Sequence, residues 1–233
     1  MTLRRLSERI VRKPWGRRDL PPPFAAVPES EEPVGEIWFE DPQGGVPPLL
    51  VKYLFTSEAL SIQVHPDEAR ARAAGHRCGK DEAWLVLAAE EGARLGLGMR
   101  RPVGRDELRA AAVEGRVERL IGWRKVKAGD NFYAPAGTVH ALGAGLTVVE
   151  VQRNVDVTYR LYDYGRPREL HVEEAVRAAI PQPWAPASRP PRLSRHRSLL
   201  ACGSFRLERW SGAAAFPLGC SAKRPAWLVP LGA

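Results

Sequence analysis

Two short segments of the chain place metal-binding side chains in strand and turn contexts. Residues 60–67 alternate apolar and polar side chains, which predicts a β-strand that ends at Pro66. On a strand, side chains two residues apart project from the same face, about 7 Å from each other. We therefore expect Gln63 and His65 to lie side by side on one face.

The second segment, residues 129–140, is organised by turn residues. Glycine and proline predict turns at residues 129–130 and 135–137, with a short strand at residues 132–134 between them. The second turn is expected to deliver the side chain of His140 just beyond it.

A carboxylate between the two segments completes a set of candidate ligands. Glu82 opens an apolar run of strand composition, after a stretch rich in Ala, Arg and Gly that predicts a surface helix and loop. Two imidazoles, one carboxylate and one amide oxygen suit a divalent metal of the zinc, cobalt or manganese type. The alternative is that these are ordinary strand and turn residues. The combination favours one metal site, with the ligands Gln63, His65, Glu82 and His140.

The three cysteines suggest no thiolate site. Cys78, Cys202 and Cys220 lack a paired CxxC spacing, and three thiols without a secretory signal fit a reducing cytosol better than a disulfide framework.

The spacing G-x5-P-x-G-x2-H at residues 129–140 resembles the second sequence motif of the cupins, which are small β-barrel or jelly-roll metal proteins. Longer strings resemble the type I mannose-6-phosphate isomerases, in that family's order and near its spacings. They are LLVK at 49–52, LSIQVHPD at 60–67, GKDEAW at 79–84, PAGTVHA at 135–141 and DVTYRLYDY at 156–164, with KPWG at 13–16 and PRELH at 167–171 extending the match.

This resemblance implies a mainly β fold, a cupin (jelly-roll) barrel with short helical additions and an incomplete second β-sheet domain. It implies an enzyme of mannose metabolism that interconverts mannose 6-phosphate and fructose 6-phosphate through an enediol(ate). It also implies one zinc ion per chain, bound by the four ligands above. The substrate pocket would be lined by Lys52, Lys80, Glu150 and Arg160.

Residue chemistry agrees with an aldose–ketose isomerisation, which needs a base for a carbon-bound proton and positive charge near the enediolate. Glu150 lies in an apolar strand, where burial would raise the pKa of its carboxyl toward a base's useful range. The alternative is an edge-strand glutamate that faces water. Lys80, two residues before Glu82, is expected on the same face as that ligand and is the competing base, unless it is a simple loop lysine.

Two further cations are candidate substrate contacts. Arg160 shares a predicted strand face with Thr158, and its planar guanidinium suits phosphate or enediolate oxygens, so it could bind substrate or act in catalysis. A solvated strand arginine is the alternative. Lys52 is a lone cation in the apolar run at residues 49–55.

Composition fits an enzyme with a sizeable core, since the chain has 233 residues and is 44% hydrophobic. No apolar run is long enough to span a bilayer and none forms a secretory segment, so we expect cytoplasmic residence. The formal net charge is +8, but the arginines are scattered and lack interleaved stacking aromatics. We therefore expect neither nucleic acid nor membrane as a partner, and any electrostatic steering would favour an anionic sugar phosphate.

The chain is expected to divide into three parts. Residues 1–180 would form the catalytic metal-binding cupin domain, with a short helical insert at 104–122. A proline-rich linker at 181–194 would precede a partial C-terminal cupin-like sheet at 195–233. A last strand at 227–229 would leave apolar surface and unpaired backbone, so self-association through residues 195–233 is expected.

Two other functions stay open. One is a cupin isomerase or epimerase that acts on another sugar phosphate. The other is a non-catalytic sugar-phosphate-binding cupin impaired by missing C-terminal strands. The presence of Glu150, Lys80 and Arg160 favours catalysis.

Overall fold

The computed structural model describes residues 4–22, 24, 31–185, 192–194, 197–212 and 225–231, and within them the chain is mainly β, as predicted. Cys220 lies outside the described residues. In chain order the strands are β1 Ser7–Arg17, β2 Val34–Glu40, β3 Leu49–Thr56, β4 Ile62–Val64, β5 Glu82–Ala89, β6 Arg94–Met99, β7 Ile121–Lys125, β8 Asn131–Ala134, β9 His140–Leu142, β10 Leu146–Arg153, β11 Tyr159–Tyr162, β12 Arg192–Ser194, β13 Arg197–Cys202 and β14 Arg206–Trp210.

Two sheets face each other across an apolar core. One has six strands in the order β1-β2-β3-β10-β5-β8, and the other has five in the order β11-β4-β9-β6-β7. Leu54, Trp84 and Val148 of the first sheet pack against Leu97 and Leu142 of the second. In the described part of the chain the sheets do not close into one continuous barrel.

The central strand β10 contributes buried side chains to both faces of its sheet. It pairs antiparallel with β3 on one side and β5 on the other, and all but its last residue are buried. Because strand side chains alternate, Val148 and Glu150 project toward the five-stranded sheet, whereas Val149 and Val151 project from the outer face. The inner face therefore carries the charged residues of the candidate site.

The outer face of the six-stranded sheet is covered by the C-terminal part of the chain. Phe205, Trp227 and Val229 pack on the outer apolar cluster, and the Tyr53 hydroxyl donates to the Pro230 carbonyl at 3.4 Å. The predicted strand at 227–229 is wrong, because residues 225–231 contact the sheet through side chains without a ladder of their own. β12, β13 and β14 form a separate three-stranded sheet.

Short helices cover the outer face of the five-stranded sheet and the approach to β5. α1 Glu68–Ala73 lies in the stretch before Glu82, where a surface helix was predicted. α2 Arg105–Val113 and a 3₁₀ helix at Val117–Leu120 occupy the predicted helical insert, and α3 Val172–Ala178 packs beside α2.

The stretch predicted as a linker starts with residues that pack on the five-stranded sheet. Pro183 forms a β-bridge with Gly98, and the Trp184 indole donates to the Tyr133 carbonyl at 3.0 Å. None of the helices in the described ranges combines the length and apolar character that a membrane crossing requires.

Candidate metal centre and catalytic cavity

The four predicted ligands come together where the two sheets meet. Gln63 of β4 lies opposite His140, the first residue of β9, and its Nε2 is 3.3 Å from Nε2 of His140. His65 follows β4 directly, and Glu82 is the first residue of β5. Ligand atoms of His65, Glu82 and His140 all lie within 4.8 Å of one another.

Backbone carbonyls orient both imidazoles. Nδ1 of His65 donates to the Val157 carbonyl at 2.9 Å, and Nδ1 of His140 donates to the Thr138 carbonyl at 2.9 Å. Because a carbonyl only accepts, each Nδ1 carries the proton and each Nε2 presents a lone pair. Burial lowers the pKa of both rings, that of His65 to about 3, so both are neutral at physiological pH.

The imidazole lone pairs point at a carboxylate. Nε2 of His65 is 3.1 Å from Glu82 Oε1, and Nε2 of His140 is 3.4 Å from Glu82 Oε2. Within the described residues, His65 Nε2 and Glu82 Oε2 are buried without a hydrogen-bond donor. Electron-pair donors that face one another in a buried site repel unless a cation lies between them. Two imidazole nitrogens and a carboxylate therefore fit a divalent metal of the zinc type.

Gln63 can complete this set through its amide oxygen. Its Oε1 accepts a hydrogen bond from the Ser61 hydroxyl at 3.0 Å, which leaves Nε2 toward His140. A half-turn of the amide exchanges the two atoms, and the Ser61 hydroxyl can then accept instead of donate. The exchange would offer Oε1 as a fourth ligand.

A cavity of about 280 Å³ opens beside the cluster. Every predicted site residue other than His65 contributes to its wall, and these residues are Lys52, Gln63, Lys80, Glu82, His140, Glu150 and Arg160. The structure therefore brings side chains from six strands and one loop to a single space between the sheets.

Glu150 lines the cavity, and its carboxylate contacts two buried side chains, Trp84 and Lys52. Its Oε2 accepts from the Trp84 indole at 2.7 Å, and its Oε1 is 3.0 Å from the Lys52 ammonium. Burial, followed by the negative charge of Glu82, raises the pKa of Glu150 above its ordinary value. Glu150 is 4% exposed, so it is not the water-facing edge glutamate that was the alternative.

Lys52 bridges Glu150 to a second carboxylate that the sequence analysis missed. Its ammonium is 3.2 Å from Glu36 Oε2, which also accepts from the Trp38 indole at 2.7 Å. Although burial lowers the pKa of Lys52, the carboxylates of Glu150 and Glu36 raise it overall. The available signal was the carboxylate of Glu36 in the middle of the apolar part of strand β2.

Lys80 lies beside the candidate metal ligands, on the face predicted for it. Its ammonium is 3.1 Å from Glu82 Oε1 and the residue is 6% exposed. Its backbone N–H donates to the Pro66 carbonyl at 3.2 Å, which ties the segment before β5 to the end of the strand segment that carries His65.

Arg160 lines the cavity, and one of its guanidinium nitrogens is unpaired among the described residues. Its Nε is buried and has no hydrogen-bond partner among the described residues, whereas its neighbour Arg168 is held by Asp163 at 2.5 and 2.7 Å. Burial, followed by the charge of Arg168, lowers the pKa of Arg160. Two neighbouring guanidinium groups at one wall suit an anionic ligand.

Comparison with known proteins agrees with this geometry. No protein-family model matches the chain. A curated protein from Streptococcus mutans serotype c, named mannose-6-phosphate isomerase, is 41% identical over 144 residues, which are 59% of this chain and 45% of that protein. The chain spans about half the length of the curated relatives it matches, with a range of 45% to 62%.

Solved structures share the fold. The mannose 6-phosphate isomerase from Bacillus subtilis superposes with a TM-score of 0.78 at 30% identity, covering 88% of this chain and 79% of that one. A holo, zinc-bound mannose 6-phosphate isomerase superposes with a TM-score of 0.63 at 16% identity, a likeness of fold that covers 85% and 80%. The cupin prediction is confirmed, and the chain belongs to the type I mannose-6-phosphate isomerase family.

Proposed function

We propose that the chain is a metal-dependent aldose–ketose isomerase that interconverts mannose 6-phosphate and fructose 6-phosphate through an enediol(ate) intermediate. The observation that carries the proposal is the cluster of His65, Glu82 and His140, whose acceptor atoms face one another beside a cavity with a buried carboxylate, Glu150. The names of the relatives support this choice of substrate.

Zinc is the proposed ion, one per chain, with Gln63, His65, Glu82 and His140 as its ligands. The donor set suits zinc, and a relative of the same fold is described as zinc bound. When bound, the ion would supply positive charge that polarises the sugar oxygens at C1 and C2.

Glu150 is the proposed base. Its carboxylate would remove the proton from C2 of the aldose and return it to C1 of the ketose, and the reverse reaction would use the same group. Burial favours this role, because it raises the pKa of the carboxyl and strengthens it as a base. The Trp84 indole holds Oε2, so proton transfer would use Oε1, which lies 3.0 Å from the Lys52 ammonium.

Two lysines would supply positive charge around the reacting carbons. Lys80, paired with Glu82 at 3.1 Å, is placed to donate a hydrogen bond to the developing enediolate. Lys80 is also the competing candidate for the base, which would require its neutral form. Lys52, paired with Glu36 and Glu150, would bind a substrate hydroxyl while it holds Glu150 in place.

Arg160 is the proposed anion contact. Its unpaired Nε and planar fork suit phosphate oxygens of the sugar or the enediolate itself, so it would act in binding, in catalysis or in both.

Three further parts of the proposal concern the whole protein. Residues 1–180 would be the catalytic domain, residues 181–194 a linker and residues 195–233 a partial second sheet. The protein would reside in the cytoplasm. Its partner would be a small sugar phosphate, without nucleic acid or membrane.

A coupled assay for fructose 6-phosphate formation tests the function. We expect turnover of mannose 6-phosphate that a strong chelator abolishes and that added zinc restores, because the Lys80 ammonium beside Glu82 cannot accept electron pairs from the two imidazoles as a metal ion does. Turnover that survives complete removal of metal would contradict the proposal. Tight binding of the sugar phosphate without turnover would favour the non-catalytic alternative, and turnover of a different aldose phosphate would favour the other isomerase.

Replacing His140 with alanine tests the ligand set. We expect His140→Ala to lose most of the bound zinc together with activity, because one of two imidazole ligands is gone. His76→Ala is the matched control, since His76 lies outside the cluster. Elemental analysis of both variants decides, and full metal content in His140→Ala would exclude this ligand set.

Replacing Glu150 with glutamine tests the base. Glu150→Gln keeps the shape of the side chain and removes its basicity, so turnover should fall by about a hundredfold or more while zinc stays bound. Glu169→Gln, on an 84% exposed side chain, is the control. Near-native turnover in Glu150→Gln would transfer the role to Lys80. The incorporation of solvent deuterium at C1 and C2 would then be measured in both Glu150→Gln and a Lys80 variant.

Self-association through residues 195–233 is also part of the proposal. Leu228 and Leu231 are 48% and 42% exposed, and the outer edge of β14 has no strand partner within the described residues. We expect the full chain to form dimers or larger species in size-exclusion chromatography with light scattering, and the double variant Leu228→Ser/Leu231→Ser to lose this contact. A cleanly monomeric full chain would contradict the expectation.

A further inference from the structure

Asp81 stands between two cavity residues, yet its own side chain turns away from the cavity. Lys80 and Glu82 both line the cavity. The carboxylate of Asp81 instead accepts from the Tyr133 hydroxyl at 2.6 Å through Oδ2, and from the backbone N–H of Ala136 at 2.8 Å through Oδ1. One side chain therefore joins the start of β5 to the end of β8 and to the turn that follows it.

The C-terminal sheet reaches the same carboxylate. Burial raises the pKa of Asp81, but the hydrogen bonds from Tyr133 and Ala136, and then the polar groups of Ser204 in the turn between β13 and β14, hold that pKa below its ordinary value. The next residue, Phe205, is buried, and its ring centroid is 6.0 Å from that of Tyr133. A Cβ at Gly203 would collide with the Tyr133 hydroxyl, so the absence of a side chain there permits the close approach.

The segments that meet at Asp81 are the segments that carry the candidate metal ligands. Glu82 is the adjacent residue in the chain. Ala136 belongs to the turn that leads into His140, and the next residue of that turn, Gly137, donates its N–H to the carbonyl of His65 at 2.8 Å. The backbone positions of three ligands are thus linked through one turn and one carboxylate.

We infer that Asp81 is a positioning residue for the metal centre, and that the tip of the β13–β14 hairpin supports the centre through Ser204. This inference rests on the proposed function, because it takes His65, Glu82 and His140 as metal ligands. A metal site binds tightly only when its ligands are held in the required geometry before the ion arrives. The short C-terminal sheet then has a role in the active site to which it contributes no ligand.

Removal of the Asp81 carboxylate would act on ligand geometry through backbone groups. The hydroxyl of Tyr133 and the N–H of Ala136 would lose their acceptor, and partly buried donors do not stay unpaired without rearrangement. The turn at residues 135–137 would shift relative to β5. That shift would separate His140 from Glu82.

The test measures zinc affinity in the full chain, by competition with a chromophoric chelator. We expect Asp81→Ala to bind zinc about tenfold to a hundredfold more weakly, which is the effect of losing a group that orients ligands. Ser204→Ala should weaken zinc binding by a smaller factor. The double variant should bind zinc no more weakly than Asp81→Ala, because Ser204 acts through the same carboxylate.

Glu208→Gln is the control for general damage to the hairpin. Glu208 pairs with Arg197 and Arg206 inside the C-terminal sheet, and Asp81 is not among its partners. We expect Glu208→Gln to lower the melting temperature of the metal-free chain and to leave the zinc dissociation constant unchanged. If Ser204 only stabilised the hairpin, Ser204→Ala would likewise lower the melting temperature and leave the zinc dissociation constant unchanged.

Each result decides the inference. Parent-like zinc affinity in folded Asp81→Ala and Ser204→Ala would overturn it, as would additive losses in the double variant. If Asp81→Ala does not fold, the comparison of Ser204→Ala with Glu208→Gln decides alone. A parent chain that binds no zinc contradicts the proposed function and this inference with it, whereas a zinc-binding parent with unchanged variants contradicts only the inference.

Discussion

Charges enclosed between two sheets must be paired, and the inner face of the six-stranded sheet is arranged around that requirement. Lys52 lies between Glu36 and Glu150, and Lys80 contacts Glu82. An isolated ion in such a place would cost several kcal/mol, so each charge depends on its neighbour across the strands. Antiparallel pairing of β10 with β3 places Glu150 opposite Lys52, and pairing of β3 with β2 brings Glu36 to the same lysine.

The candidate metal ligands are only partly paired. Among the described residues, His65 Nε2 and Glu82 Oε2 are buried without a hydrogen-bond partner, and these atoms mark the site. The imidazoles of His65 and His140 are fixed by carbonyls so that their lone pairs face Glu82, an arrangement that lacks a positive partner among these three groups. Burial lowers the pKa of both rings and keeps them neutral. A binding site for a cation follows from the same burial that stabilises the sheets.

The C-terminal part of the chain stabilises the sheet that carries the site. Phe205 and Trp227 cover the outer face of the sheet whose inner face holds Glu82 and Glu150, so loss of this cover would expose apolar area beneath the active strands. The chain spans about half the length of its curated relatives, and its short second sheet still occupies this outer face. The hairpin tip at Ser204 adds polar contacts to that apolar cover.

Local patterns in the sequence were sufficient for most of the candidate site. Alternation places Gln63 beside His65, and the turn at residues 135–137 precedes His140, because side-chain direction and turn geometry depend on residues close in the chain. The helices at residues 68–73 and 105–113 were predicted for the same reason. Family resemblance then assigned Lys52, Lys80, Glu150 and Arg160 to one pocket, and all four line it.

Only the tertiary structure could decide which residues meet across strands far apart in the chain. Glu36 and Lys52 come together because β2 pairs with β3, and Asp81 meets Ser204 because a hairpin more than a hundred residues later docks on β8. Residues 227–229 have strand composition but form no strand, because strand formation requires a partner's backbone as well as suitable side chains. The sequence by itself thus determined the ligand types and their local orientation, and the nonlocal pairing of strands determined their partners.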